Sequence, residues 1–379
     1  MDETSAAGDA LAFHDRTLVF DCHTDTLLRV LAEGIDMGIR STGDPLVHRS
    51  DLPRYKAAGV NAQVFAAWVD PIFLPDHTLR RGVQLVGAFY RMVEQNPDAI
   101  GHARTASDVK EIVASGRLAA LLSVEGGDAI QNELDALRMY HRLGASSMTL
   151  CHSRTTDWID SSTDAPKWNG LNDFGRGVIE EMNRLGMVVD VSHTSDQAAR
   201  DVIQISDAPV VASHSSCRAL CDHPRNLSDP LLEAIAETGG VVGINFYSGF
   251  LSQEYRDDLS SKYPDPLAAL NPTEEVAPKD MDRLAKERLY LMAKHDLPRP
   301  AFSTILDHVD HAVSVVGAEH VALGSDLDVP HMSTPTGFDD VTGFPRITEG
   351  LLGRGYSQAA AAGILGGNWL RVFEQVTEC

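Results

Sequence analysis

Val188-Val189-Asp190-Val191-Ser192-His193, followed one helix-length later by Val210-Val211-Ala212-Ser213-His214, decides how this chain reads. Each stretch is a short β-branched run of the kind buried on both faces of a parallel sheet, and each ends in a histidine. Between them, Ser195 to Ser206 places Ala198, Val202 and Ile205 on one helical side. Read as strand–helix–strand, the unit sets two parallel strands side by side with an imidazole at the carboxyl end of each. That is the outline of a metal site.

The same alternation extends in both directions. Strand candidates are Thr17 to Asp21, Val60 to Trp68, Leu118 to Val124, Ser146 to Leu150, Val188 to His193, Val210 to His214, Val241 to Phe246 and His320 to Ser325. Helical patterns lie between them, with Gly116, Gly144, Gly186 and Gly239-Gly240 as stops. Eight strands alternating with helices predict an α/β fold, a (β/α)₈ TIM barrel, with a doubly wound sheet as the alternative. The 379 residues read as one domain of this kind. Thr155 to Asn172 is a polar loop over one end of the barrel. The stretch 248–300, rich in prolines and acids, breaks the rhythm and reads as an insertion after strand seven, a lid or a dimer contact.

Composition narrows the function classes. A net charge of −22 argues against nucleic acid and against anionic membrane surfaces. No apolar run is long enough to span a bilayer, and the N-terminus lacks the basic and apolar regions of a signal peptide, so a cytoplasmic protein is expected. Five cysteines without C-x-x-C spacing do not suggest a disulfide framework. Cys22 and Cys151 each precede a histidine and, by strand alternation, read as packing residues.

Functional side chains of such a barrel gather at the carboxyl ends of its strands. Those positions hold His23 and Asp25, Glu125, His152, His193, His214 and Asp326. Imidazole and carboxylate donors suit zinc or a similar divalent ion. Five donors over-supply one ion and suit two if a carboxylate bridges. Glu125 can bridge, with His23 and Asp25 on one ion and His193 and His214 on the other, so that a shared hydroxide serves as nucleophile. Taken singly, each has a plainer role: His23 as a structural imidazole, Glu125 as a helix cap, His193 and His214 as capping or core residues. Arg225 either clamps a substrate carboxylate or pairs with Asp222 or Asp229. Asp326 is a ligand, a proton shuttle or a cap, and Asp328 supports it from behind. His14, His48, His77, His102, His308 and His311 fall in loops or on helix faces and are expected at the surface.

The ordered set Phe20-Asp21-Cys22-His23-Thr24-Asp25, Ser123-Val124-Glu125-Gly126, Thr149-Leu150-Cys151-His152-Ser153, Asp190-Val191-Ser192-His193, Ser213-His214-Ser215-Ser216, Arg225-Asn226 and Gly324-Ser325-Asp326-Leu327-Asp328 resembles the membrane dipeptidase (renal dipeptidase) family. The resemblance implies a barrel of the amidohydrolase superfamily. It implies two Zn²⁺ ions bridged by Glu125 and a hydroxide, one held by His23 and Asp25, the other by His193 and His214. It further implies His152 on the scissile carbonyl and Arg225 and Tyr247 on the substrate carboxylate. Asp326 then carries the proton to the leaving amine. The implied reaction is hydrolysis of dipeptides, L-Xaa-L-Xaa and L-Xaa-D-Xaa, by a homodimer. The same site acting on another small amide, lactam or lactone is the alternative, as is a relative that binds or tailors a metabolite without hydrolysis. Val329-Pro330-His331-Met332 and the 248–300 insertion depart from the family and bear on specificity.

Overall fold

The computed structural model describes residues 3–43, 48–262, 277–291, 297–329 and 333–378. Among the described residues nine strands form one parallel sheet: β1 (Phe20–Thr24), β2 (Ala62–Trp68), β3 (Ile100–His102), β4 (Leu118–Glu125), β5 (Ala145–Thr149), β6 (Val188–Asp190), β7 (Val210–Val211), β8 (Val242–Asn245) and β9 (Val321–Gly324). Eight of them run around a barrel in the order β7-β6-β5-β4-β2-β1-β9-β8. The two ends of that order meet through one parallel bridge, Ala212 to Val242. The (β/α)₈ barrel expected from the strand–helix alternation is therefore what the chain adopts. β3 was not anticipated. It pairs Ile100 with Leu118 at the start of β4, below the point where β5 joins at Leu122, and so covers an edge that β5 leaves bare.

Local chemistry explains the helices that return the chain between strands. Ser195 accepts the backbone N–H of Ala198 and starts the helix Asp196–Ile205. Asn172 does the same for Asp173–Leu185, and Gly186 ends it in the left-handed conformation. Thr105 and Asp108 form a reciprocal capping box on Ala106–Ala114. The C-terminal helix breaks at Gly366, and Asn368–Thr377 closes the lower mouth of the barrel. There Trp369 meets Phe20 edge to face, their ring centres 6.2 Å apart. Cys22, Val64, Leu121 and Val188 pack with them in the inner core.

β1 contains an extra residue relative to β2: Asp21 pairs with Gln63, but Thr24 pairs with Phe65. This bulge resets the side-chain alternation. Cys22 packs in the inner core and the next residue, His23, also enters the barrel. Cys22 and Cys151 are buried free thiols, as expected.

The stretch 248–300 contributes the helices Ser248–Leu251, Gln253–Lys262 and Pro278–Leu291. Its residues 263–276 and 292–296, and residues 330–332 of the Val329-to-Met332 departure, lie outside the described residues. Among the described residues no helix is long and apolar enough to cross a membrane.

Three histidines expected at the surface are buried. His14 bonds Thr348 Oγ1 at 2.6 Å and the Ala58 carbonyl at 2.8 Å. His308 accepts the Cys217 N–H at 3.1 Å and donates to the Leu251 carbonyl at 3.0 Å. His48 packs against Glu33, 3.4 Å away, and hydrogen-bonds with Arg29. Each ties a helix or loop to a neighbour distant in sequence, which helical periodicity does not reveal.

The barrel seam depends on missing side chains. A Cβ on Gly243 would lie 2.1 Å from the Ser213 carbonyl oxygen, and one on Gly324 would lie 1.9 Å from the same atom. Gly243→Ala is expected to cost about 1–3 kcal/mol or more through backbone overpacking. Gly353→Ala, with nothing near its added methyl, is expected to be close to neutral. Thermal unfolding of the two variants checks this: equal melting temperatures would contradict a seam held by close backbone approach.

Candidate metal centre

Glu125, the last residue of β4, projects into the upper barrel and is 2% exposed. Four imidazoles converge on it. His23 Nε2 lies 3.2 Å from Glu125 Oε2. His193, His214 and His152 bring Nε2 to 3.2, 3.5 and 3.9 Å from Oε1. His193 and His214, which end the two quoted stretches, place their Nε2 atoms 2.9 Å apart. Asp25 follows β1, and Asp326 follows β9 with Oδ1 3.7 Å from His23 Nε2. Donor atoms of His23, Glu125 and His214 fall within 4.8 Å of one another, as do those of Glu125, His152 and His193, and those of His23, Asp25 and Asp326. All seven residues expected at the strand ends thus meet at one point.

The backbone bends to bring them there. His193 and Asp326 have φ of +74° and +58°, a left-handed conformation that non-glycine residues seldom adopt. Such outliers concentrate at functional sites because surrounding structure must hold them. β6 and β7 accordingly stop at Asp190 and Val211, short of their histidines.

Buried acids orient the cluster. Asp190 accepts the Ser213 hydroxyl at 2.5 Å, the Ser213 N–H at 2.9 Å and the Thr149 hydroxyl at 2.6 Å. Because Ser213 Oγ spends its proton on Asp190, it accepts Nδ1–H of His214 at 2.7 Å. That leaves the His214 Nε2 lone pair facing Glu125, the tautomer a metal ligand needs. Asp21 holds Ser325 through its N–H at 2.7 Å and its hydroxyl at 2.5 Å, and burial pushes the Asp21 carboxyl up to about 6. Asn245, at the end of β8, donates to Asp326 Oδ2 at 2.8 Å. The indole of Trp68 lies over His152, ring centres 5.0 Å apart. Sequence reading did not single out Asn245, Asp190 or Trp68, although an aspartate inside a buried strand is a usable signal.

Asp328 is 0% exposed and takes no place among the donors. It accepts Arg29 Nη2 at 2.6 Å, Thr26 Oγ1 at 2.6 Å and the Arg49 N–H at 2.9 Å, with Ser50 Oγ also bound. The cluster clamps the helix that follows Asp25 against the loop that follows β9.

The charges cannot settle among themselves. Burial opposes ionisation of Glu125, yet His23 and His193 hold it well below the usual carboxylate range. Burial also opposes the charge on His23, but Glu125, Asp326 and Asp25 outweigh it and raise the imidazole to about 10. Burial and the nearby Glu125 push Asp25 well up. His193 and His214 are held well below their ordinary value, first by burial and then by nearby cations. His23 Nε2, Asp25 Oδ1 and Glu125 Oε2 are buried without a hydrogen-bond partner, despite the 3.2 Å approach of the first to the last. Buried donor atoms that converge without hydrogen bonds to satisfy them, around carboxylates that draw positive charge onto His23, are what a cation completes, so the donor set fits divalent metal.

Arg225 does not pair with Asp222 or Asp229. It is buried under the rim, donates Nη2 to the His214 carbonyl at 3.0 Å and Nη1 to Ser215 Oγ at 3.2 Å, and leaves Nε unpartnered. Its guanidinium carbon sits 5.4 Å from the centre of the Phe250 ring. Tyr247, the residue before Ser248–Leu251, is 9% exposed and packs on Phe250.

A parallel barrel with imidazoles and carboxylates gathered at the carboxyl ends of its strands defines an amidohydrolase-type metal-binding barrel. The family model described as membrane dipeptidase (peptidase family M19) matches residues 8–379, and the chain belongs to that metallopeptidase family. Dipeptidase verJ from Clonostachys rogersoniana is 35% identical over 302 residues, covering 79% of this chain and 66% of that relative. The crystal structure of the probable dipeptidase PvdM from Pseudomonas aeruginosa superposes with a TM-score of 0.80 at 25% identity, over 99% of both chains. A metallo peptidase from Rhodobacter sphaeroides, liganded with a phosphinate mimic of the dipeptide L-Ala-D-Ala, gives a TM-score of 0.75 at 27% identity, over 95% of this chain and 99% of that one.

Asp328→Asn leaves the buried Arg29 cation half-compensated, and a loss of about 3–5 kcal/mol is expected. Arg29, Ser50 and Thr26 outweigh burial and hold the Asp328 carboxyl below its ordinary value. Its stabilising contribution is therefore present above the unfolded pKa of about 3.9 and fades as pH falls through the lower folded value. In denaturant unfolding of metal-free protein, the gap between wild type and Asp328→Asn should be full at pH 7 and narrow below about pH 4. A gap independent of pH would contradict the ion pair.

Proposed function

We propose that this protein is a dinuclear zinc dipeptidase, hydrolysing the amide bond of L-Xaa-L-Xaa and L-Xaa-D-Xaa dipeptides. The observation that carries the reading is the Glu125 carboxylate, buried and faced by four imidazole nitrogens within 3.9 Å. His23 and Asp25 would hold one ion, His193 and His214 the other, with Glu125 shared between them. Two such ions supply Lewis acidity and a water that ionises near neutral pH.

The remaining residues do the rest. Arg225 has donors left after its bonds to His214 and Ser215, and with the Tyr247 hydroxyl it grips the substrate's terminal carboxylate. His152 is kept neutral, since burial lowers it to about 4. Its Nδ1 lies 3.1 Å from Ser153 Oγ, and the tautomer in which Nδ1 accepts that hydroxyl carries the proton on Nε2. That N–H meets the carbonyl oxygen as it gains charge. Asp326, anchored by Asn245 and raised by burial, accepts a proton from the attacking water. As the new C–O bond forms and the C–N bond breaks, the same proton passes to the amine nitrogen. The Rhodobacter sphaeroides relative, bound to a mimic of L-Ala-D-Ala, supports a dipeptide with a D-residue in second place.

Metal analysis with a dipeptide screen tests the assignment. The wild type is expected to carry two zinc ions per chain and to turn over L-L and L-D dipeptides. Glu125→Ala should lose turnover and at least one ion. Asp326→Asn should keep both ions while kcat falls about 10²–10⁴-fold. Retained metal and rate in Glu125→Ala would refute the shared carboxylate. Turnover of lactams or lactones, but no dipeptide, would refute the substrate class.

A further inference from the structure

A cavity of about 300 Å³ opens beside Tyr247 and Arg225, lined by His223, Tyr247, Arg256, Leu259 and Ser260 among others. Two of its walls are fixed by the carboxylate grip itself. His223 and Pro224 immediately precede Arg225, and Gly249 precedes Phe250, whose ring lies beneath the Arg225 guanidinium. Whatever side chain is carried by the residue whose carboxylate Arg225 holds has this space next to it. The third wall is the helix Gln253–Lys262, which belongs to the insertion rather than to the barrel.

The chemistry of the lining has one sign. The chain carries 54 acidic residues against 32 basic ones, yet none of the described lining residues is a carboxylate. Two of the three acids on the same helix are engaged elsewhere: Asp257 accepts Gln253 Nε2 at 2.8 Å, and Asp258 lies 3.8 Å from Lys262 Nζ; the third, Glu254, does not line the cavity. Among the described residues the Arg256 guanidinium has no hydrogen-bonded or ionic partner. His223 Nδ1 accepts the Arg225 N–H at 3.0 Å, so the neutral ring carries its proton on Nε2 and is a donor. Burial, and then Arg256, keep that ring neutral, pushing it down to about 3. Hydroxyls of Tyr247 and Ser260 add further donors.

We propose that the insertion makes this cavity the pocket for the side chain of the dipeptide's second residue, and that Arg256 selects Asp or Glu there. The inference rests on the dipeptidase reading and adds the substrate class. An unpaired guanidinium in a half-enclosed, donor-rich space gains a charge-assisted bond from a carboxylate, loses it with an amide, and repels an ammonium.

The test compares kcat/KM of the zinc-loaded enzyme on Ala-Glu, Ala-Gln and Ala-Lys, with the second residue in the L and the D form, for wild type, Arg256→Met and Arg256→Glu. Gln has the shape of Glu without its charge, so the Glu-to-Gln ratio isolates the electrostatic part. The wild-type ratio is expected to be about tenfold or more, expressed mainly in KM. It should fall to near one in Arg256→Met, and Arg256→Glu should turn over Ala-Lys better than Ala-Glu. A wild-type ratio near one in both series, or a ratio unchanged in Arg256→Met, overturns the role of Arg256. Failure to turn over any of these dipeptides or Ala-Ala overturns the dipeptidase reading and this inference with it.

Discussion

The Glu125 carboxylate, buried and faced by four imidazoles, sets the terms for the residues around it. Removing a carboxylate from water costs several kcal/mol unless cations or donors compensate. Around Glu125 the compensation is incomplete in an informative way. His23 is drawn toward the charged form and Asp25 toward the neutral one, while His193 and His214 are pressed toward neutrality. Neutral imidazoles, that of His214 with its lone pair turned inward, beside carboxylates form an arrangement that is poor for a protein core and well suited to cations. The barrel supplies the rigidity that keeps such a cluster from relaxing.

That rigidity can be traced to particular residues outside the donor set. Asp190 fixes Ser213 and, through it, the tautomer of His214. Asp21 pins Ser325 beside Asp326, and Asp328 locks the helix after Asp25. Each of these acids sits on a different strand or strand end, and each satisfies a turn that would otherwise leave buried N–H groups unpaired. The left-handed turns at His193 and Asp326 persist because these anchors hold both sides of them. Glycines at the seam let β8 and β9 come close enough for the rim to be continuous.

Much of this was legible in the sequence because parallel strands advertise themselves as apolar runs, and barrels place chemistry where those runs end. His23, Asp25, Glu125, His152, His193, His214 and Asp326 could be picked out by that rule alone. The rule looks for imidazoles and carboxylates at strand ends, so it passed over Asn245, an amide at the end of β8 whose role is a bond to a residue 81 positions away. It also missed the burial of His14, His48 and His308, since helical spacing does not reveal which loop will cover a given face. The bulge in β1 moved the strand toward His23, and strict alternation had the wrong reason for Cys22 being buried. β3, three residues long, carries too little pattern to be seen before its partner β4 is in place.

Anomalous diffraction at the zinc edge, from crystals grown with zinc, would locate the ions themselves. Two peaks are expected in the upper barrel, one on each side of the Glu125 carboxylate, with His23 and Asp25 nearest one and His193 and His214 nearest the other. A single peak, or peaks to which Glu125 contributes no oxygen, would contradict the shared carboxylate.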